Sequence, residues 1–216
     1  MTCEGLAYPI LRWQARIMTT PGILRARDYL TTPWKNGGGV TREILAFPPG
    51  CDLDTFGWRI STAEVSRGGP FSVFPGVDRK LMVIQGRLRL SVGGERDSEL
   101  SGDSSAASFS GDVATSAEPL AGPVIDLNVM TRRGQFTSRI TRHEVNGSMI
   151  VQTASVTAVV VALAPVVVSE EGMIHELSEW DALVLGMSRE RCLSLRGQGA
   201  GLVLIEIASV EGLASH

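Results

Sequence analysis

Short strand-like runs rich in β-branched residues recur along this 216-residue chain, and glycine or proline separates nearly all of them. They span residues 41–46, 57–65, 80–85, 88–92, 124–130 and 136–142, then 149–153, 156–163, 182–185 and 201–207. An amphipathic helix needs apolar residues every three or four positions over about ten residues or more. With 24 glycines and 10 prolines the chain seldom allows that, and a turn near residues 27–30 is the best helical candidate. Short strands at regular spacing, separated by turn residues, predict an all-β chain of sandwich or barrel type.

Two blocks of strands are expected, residues 23–135 and 136–216, each sized to make a barrel. Residues 93–110 are rich in Ser, Gly and Asp and almost lack large apolar side chains, which predicts a mobile surface loop. Residues 1–22 read as an extension without function, with Met18 as an alternative start to Met1. Hydrophobic residues make up 44% of the chain, enough for a packed interior. A formal net charge of −3 argues against a nucleic-acid partner. The longest apolar run, 156–168, is broken by Thr157 and Pro165 and is shorter than the roughly 18–20 residues that cross a bilayer, so no membrane partner is expected. Three scattered cysteines, Cys3, Cys51 and Cys192, suit a reducing compartment. The N-terminus shows no secretory pattern, so a cytoplasmic location is expected.

The most informative stretch is WKNGGGVTREI, residues 34–44. Three consecutive glycines are expected where backbone turns sharply or approaches something closely. They either form a nest of N–H groups for an anion, with donors from Lys35 and Asn36, or make a tight strand connection anchored by Trp34. The chain has only two lysines, Lys35 and Lys80, against 18 arginines, so the position of each is informative. In FGWRISTAEV, residues 56–65, alternation puts Phe56, Trp58 and Ile60 on one face and Arg59, Ser61 and Ala63 on the other. The second face is either solvated exterior or the lining of a barrel pocket, and composition alone favours the exterior. In residues 124–130, Asp126, Asn128 and Met130 share a face. Asn128 has a donor and an acceptor for a ligand, and Asp126 a carboxylate to orient an arginine, unless both serve a structural network. His143, His175 and His216 are separated and form no triad, and each reads as structural or solvated.

Taken together, WKNGGGVTREI, FGWRISTAEV, GPFSVFPGVDRKL (69–81) and GPVIDLNVMTRRG (122–134) resemble the HutD/Ves family of the cupin superfamily. The likeness covers residues 23–135 motif by motif, and the later residues in strand pattern and length. It implies a two-barrel (bicupin, RmlC-like) fold. It also implies a bacterial protein of histidine utilisation that binds a pathway metabolite and moderates the pathway rather than catalysing a step. Metal-bearing cupins carry two histidines separated by one residue, then a glutamate, then a glycine with six residues between it and the glutamate. Counted back from Gly86, the glutamate position falls on Arg79 and the histidine positions on Phe74 and Ser72. Hydroxyl, phenyl and guanidinium groups do not ligate a divalent metal, so no metal and no cofactor are expected. A fixed cation in that place favours an anionic ligand, because arginine matches a carboxylate bidentately.

The expected site is therefore a pocket for a small anionic metabolite, such as formylglutamate or urocanate, lined by Lys35, Asn36, Thr41, Arg59, Ser61, Arg79 and Asn128, with no catalytic residue. The alternatives are a metal-independent isomerase or hydrolase using Arg79 with Asp126 or Glu43, and a pure interaction module. An edge strand left over by such barrels is a route to a homodimer.

Overall fold

The computed structural model describes residues 22–155, 157–185 and 190–210. Its strands are β1 (Gly22–Leu24), β2 (Leu30–Pro33), β3 (Gly39–Phe47), β4 (Trp58–Val65), β5 (Gly69–Pro70), β6 (Val77–Gln85), β7 (Arg87–Val92), β8 (Ser98–Ser101), β9 (Ala107–Ser110), β10 (Thr115–Pro119) and β11 (Val124–Arg132). There follow β12 (Phe136–Thr153), β13 (Thr157–Ala162), β14 (Val166–Glu170), β15 (Met173–Leu177), β16 (Ala182–Leu185) and β17 (Arg191–Ser209). A 3-10 turn at Ala26–Asp28 is the one helical element among the described residues. The chain is all-β, and none of its described helices is long and apolar enough to cross a membrane.

The chain divides into two compact units, and Leu30–Phe136 is one of them. It holds a six-stranded antiparallel sheet in the order β2-β3-β4-β11-β6-β9 and a four-stranded sheet in the order β5-β10-β7-β8. Both sheets feed one apolar cluster. Ala63, Val65, Leu81, Val83 and Val124 enter from the first, and Leu88, Leu90, Leu100 and Ala117 from the second. The two faces thus close on each other in a barrel-like arrangement, and the residues between them come from alternate positions of each strand.

Residues 93–110 are not the mobile loop that their composition predicts. They carry β8 and β9, which pair with β7 and β6. Leu100 is buried in the core, and Ala107 and Phe109 pack against it. One or two inward apolar residues per four-residue strand leave little periodicity to detect, while ladder hydrogen bonds supply the order.

The other unit comprises the described residues up to Tyr29 and from Thr137 onward. Its seven-stranded sheet runs β1-β16-β13-β17-β14-β15, with β12 also paired to β17. Val160, Val168, Leu183, Leu195 and Leu204, from four of these strands, meet in a single apolar cluster, so the sheet curls around it.

The first block therefore begins at Leu30 rather than at residue 23, because β1 pairs with β16. Asp181 holds this segment in place. Its carboxylate accepts from Arg25 Nη1 at 2.7 Å, from the Ala26 amide at 3.0 Å and from the Ser178 amide at 2.9 Å. Burial pushes the Asp181 carboxyl up, but the two amides and Arg25 outweigh it and hold it below its ordinary value. A depressed folded pKa means stability that is present above the unfolded value of about 4 and lost as the pH falls further. Asp181→Ala should cost ~1–3 kcal/mol in urea unfolding at pH 7. The variant and the parent should draw together as the pH falls through the depressed value of the folded carboxyl, and a gap that stays constant into acid would refute this role.

Candidate functional site

The register of β3, β4, β11, β6 and β9 arranges inward side chains in rows. Thr41 stands opposite Ala63, Ala63 opposite Asp126, and Asp126 opposite Val83. Two residues along, Glu43, Ser61, Asn128 and Leu81 make the next row. A third row holds Arg59, Met130, Arg79 and Phe109. Ala63, Leu81 and Val83, on the same face, belong to the cluster between the two sheets. Arg59 and Ser61 thus line the interior, not the exterior that composition favours. The reason is that both faces of β4 are covered, since Trp58 and Ile60 on the opposite face are also buried. Alternation by itself does not tell which face of such a strand surrounds a pocket.

Arg59 is already engaged. Its Nε donates to Glu43 Oε2 at 2.7 Å and its Nη1 to Ser61 Oγ at 3.2 Å. A bulge between Glu43 and Leu45 keeps Glu43 opposite Ser61, within reach of Arg59.

Arg79 is different. It is only 6% exposed, and no carboxylate forms an ion pair with it among the described residues. Three aromatic rings surround its guanidinium, Phe71 at 4.8 Å, Phe109 at 5.2 Å and Phe74 at 5.8 Å. Its Nε is buried without a hydrogen-bond partner, as is Oδ1 of Asn128. Cation–π contact recovers part of the lost hydration, yet a buried cation without a hydrogen-bonded anion remains costly. Burial pulls the guanidinium down to about 10, countered by Asp126 and reinforced by Arg59. Burial likewise pushes the Asp126 carboxyl up to about 7, against the pull of Arg79. Asp126, Asn128 and Arg79 therefore form an interior polar cluster in which donors and acceptors stand unused.

The remaining expected residues lie elsewhere. Lys35 and Asn36 are exposed on the β2–β3 turn. Asn36 Oδ1 accepts from the Gly38 amide at 2.9 Å, and the Gly37 carbonyl accepts from Arg67 Nη2 at 2.9 Å. Gly37 sits at φ +64°, and a Cβ on Gly39 would lie 2.4 Å from the Glu64 carbonyl oxygen. The glycines thus serve a tight strand connection. Thr41 faces inward, but its hydroxyl accepts from Trp34 Nε1 at 2.8 Å. Gly39 pairs with Val65, six residues from Arg59 along β4, so the turn lies about 20 Å from the Arg79 row. Phe71, Phe74 and Phe109 are the contributors that sequence reasoning missed. Their signal was present as two phenylalanines in GPFSVFPG and a lone aromatic in a polar stretch.

A cavity of about 520 Å³ opens on the other side of the four-stranded sheet, beside Arg89, Ser91, Asp97 and Glu118. Its charges are mutually satisfied, Arg89 by Glu118 at 2.9 Å and Asp97 by Ser91 at 2.6 Å, so it lacks the unpaired groups of the interior cluster.

The HutD family model matches residues 26–204. This chain belongs to the HutD family. An uncharacterised 21.2 kDa protein of the hutC 3′ region of Pseudomonas putida is 36% identical over 189 residues, covering 87% of this chain and 97% of that one. Protein Ves of Citrobacter koseri is 35% identical over 108 residues, half of this chain and 56% of that protein. Among solved structures, a conserved protein of unknown function from Pseudomonas aeruginosa PAO1 matches with a TM-score of 0.83 and 32% identity, over 88% of this chain and all of that one. HutD of Pseudomonas fluorescens SBW25, solved in a formate condition, matches with a TM-score of 0.74 and 32% identity, over 88% and 99%. A cupin 2 conserved barrel domain protein of Leptotrichia buccalis, at 11% identity and TM-score 0.51, shares the fold.

The residues of this HutD-family chain do not fit the metal that many cupins carry. The interior face presents a guanidinium where a metal would need an acidic or imidazole ligand, and His143 and His175 belong to the other unit. Among the described residues no group of three or more His, Cys, Asp or Glu is placed to hold a metal ion. His216 lies outside the described residues.

Proposed function

We propose that this chain binds a small carboxylate inside the barrel-like unit Leu30–Phe136, against Arg79, and that the whole is a two-barrel cupin acting in histidine utilisation. The observation that carries the reading is the buried Arg79 guanidinium with an unused Nε, one row along the same inward face from an unused Asn128 oxygen. A ligand with a carboxylate for Arg79 and an N–H or O–H for Asn128 would satisfy both. Formylglutamate and urocanate, intermediates of histidine breakdown, have both features. The P. putida relative is described by its place beside hutC, which supports that choice of pathway. Binding of such an intermediate without turnover would let the protein moderate the pathway by sensing its flux. Calorimetric titration with N-formyl-L-glutamate and urocanate tests this, with saturable heat expected at millimolar ligand or below. Absence of heat from both compounds would sink it.

A second reading has one observation in its favour. Asp126, with its carboxyl held near neutrality beside a cation, suits general acid or base work on a bound carboxylate. Consumption of either compound by the purified protein, abolished in Asp126→Asn, would establish an enzyme.

A further inference from the structure

The interior face gathers two guanidiniums and two carboxylates, and the way they pair leaves a charge question open. Arg59 and Glu43 neutralise each other at 2.7 Å. Arg79 and Asp126 remain, both buried, with no ion pair formed between them. If Asp126 is ionised, its charge cancels that of Arg79 across the enclosure, and the face exerts no net attraction on an anion. If Asp126 is protonated, Arg79 stands as one uncompensated buried cation. A carboxylate arriving at Arg79 would share a low-dielectric enclosure with Asp126, and a second negative charge there favours the protonated form of Asp126.

Resting on the carboxylate-pocket reading above, we infer that Asp126 takes up one proton as a carboxylate binds against Arg79, which makes the site responsive to pH as well as to ligand. The groups around Asp126 leave it as the residue that titrates. On β6 Val83 stands directly opposite it, and Arg79 lies on the same face four residues back along the strand, close enough to pull on its titration. From β4 come Ala63, Ser61 and Arg59, and from β3 Thr41 and Glu43, the latter held by Arg59. The facing sheet contributes apolar Leu88, Leu90, Leu100 and Ala117. Thr62 Oγ1 fixes the backbone by donating to the Asp126 carbonyl at 2.7 Å and leaves the carboxyl free. Burial already holds that carboxyl near pH 7, so a nearby anion pushes it across neutrality and not from the ordinary carboxylate range. The bound state is then Arg79 with the ligand carboxylate, beside a neutral Asp126 that has an O–H to donate to Asn128 Oδ1 or to the ligand.

The test is calorimetry on the full chain with sodium formate and N-formyl-L-glutamate between pH 6 and 8.5. At pH 8 it is repeated in two buffers of different ionisation enthalpy. The affinity should fall about tenfold per pH unit above 7, and proton uptake at pH 8 should approach one per carboxylate bound. Asp126→Asn should bind equally well at pH 6 and pH 8 with no uptake. Should that variant fail to fold, the two-buffer comparison on the unmodified chain decides alone. Binding of unchanged affinity across the range, without uptake, overturns the proton coupling and leaves the carboxylate pocket standing. Uptake that persists in Asp126→Asn overturns the assignment to this residue. Failure of both compounds to bind at any pH overturns the coupling and the pocket together.

Discussion

Replacing Arg79 by methionine should weaken carboxylate binding by about one to two orders of magnitude while leaving the fold at least as stable as before. The two halves of this expectation have different physical sources. A hydrogen bond to a charged group contributes ~1.5–3 kcal/mol, so losing the guanidinium weakens binding roughly 10- to 150-fold. Stability moves the other way, because Arg79 is buried with no ion pair among the described residues and with Nε unused. Methionine fills the space among Phe71, Phe74 and Phe109 and removes the desolvation penalty of a buried cation. Asp126 loses its counter-charge but has a low-cost response, since its carboxyl already sits near neutrality and protonates. A group retained against stability is what a binding site requires. Titration with N-formyl-L-glutamate and urea unfolding, run on the same preparation, read the two halves. A large loss of stability with binding intact would make Arg79 a structural residue.

The second large effect is expected at Gly39. A Cβ there would lie 2.4 Å from the Glu64 carbonyl oxygen and 3.2 Å from the Trp34 ring. The obstacle is backbone, which does not swing aside as a flexible side chain would. Gly39→Ala should therefore part the start of β3 from β4 and cost roughly 2 kcal/mol or more. Gly37→Ala serves as the control. It meets only the end of Arg67, at 3.1 Å, and its main cost is the φ of +64°, about 1 kcal/mol. Urea midpoints should rank parent, then Gly37→Ala, then Gly39→Ala well below. Equal midpoints for the two variants would mean that the close approach of β3 and β4 is not what requires glycine. Carboxylate binding should survive Gly37→Ala, because the turn lies at the far end of the sheet from Arg79.

Particular residues show what could be read without coordinates. The strand-forming runs were legible because their apolar residues alternate, and β4 and β11 show this most clearly. Arg79 was legible as a cation in a ligand position, through motif spacing rather than periodicity. Its three phenylalanines were not, because they come from β9 and from the stretch between β5 and β6, which only tertiary packing unites. Lys35 and Asn36 drew attention as donors beside glycines, but their place at the opposite end of the sheet depends on register, which sequence alone does not set. The same holds for the inward direction of Arg59 and Ser61, since β4 is buried on both faces. The attachment of Gly22–Leu24 to β16 joins residues about 160 apart in the chain, beyond the reach of any local pattern.

A crystal structure of the chain with N-formyl-L-glutamate measures directly where a carboxylate binds. The predicted result is a carboxylate oxygen about 3 Å from Arg79 Nε, with a ligand donor directed at Asn128 Oδ1. A ligand seated in the groove beside Arg89 and Glu118, or on the glycine turn at Lys35, with Arg79 still unpartnered, would contradict it.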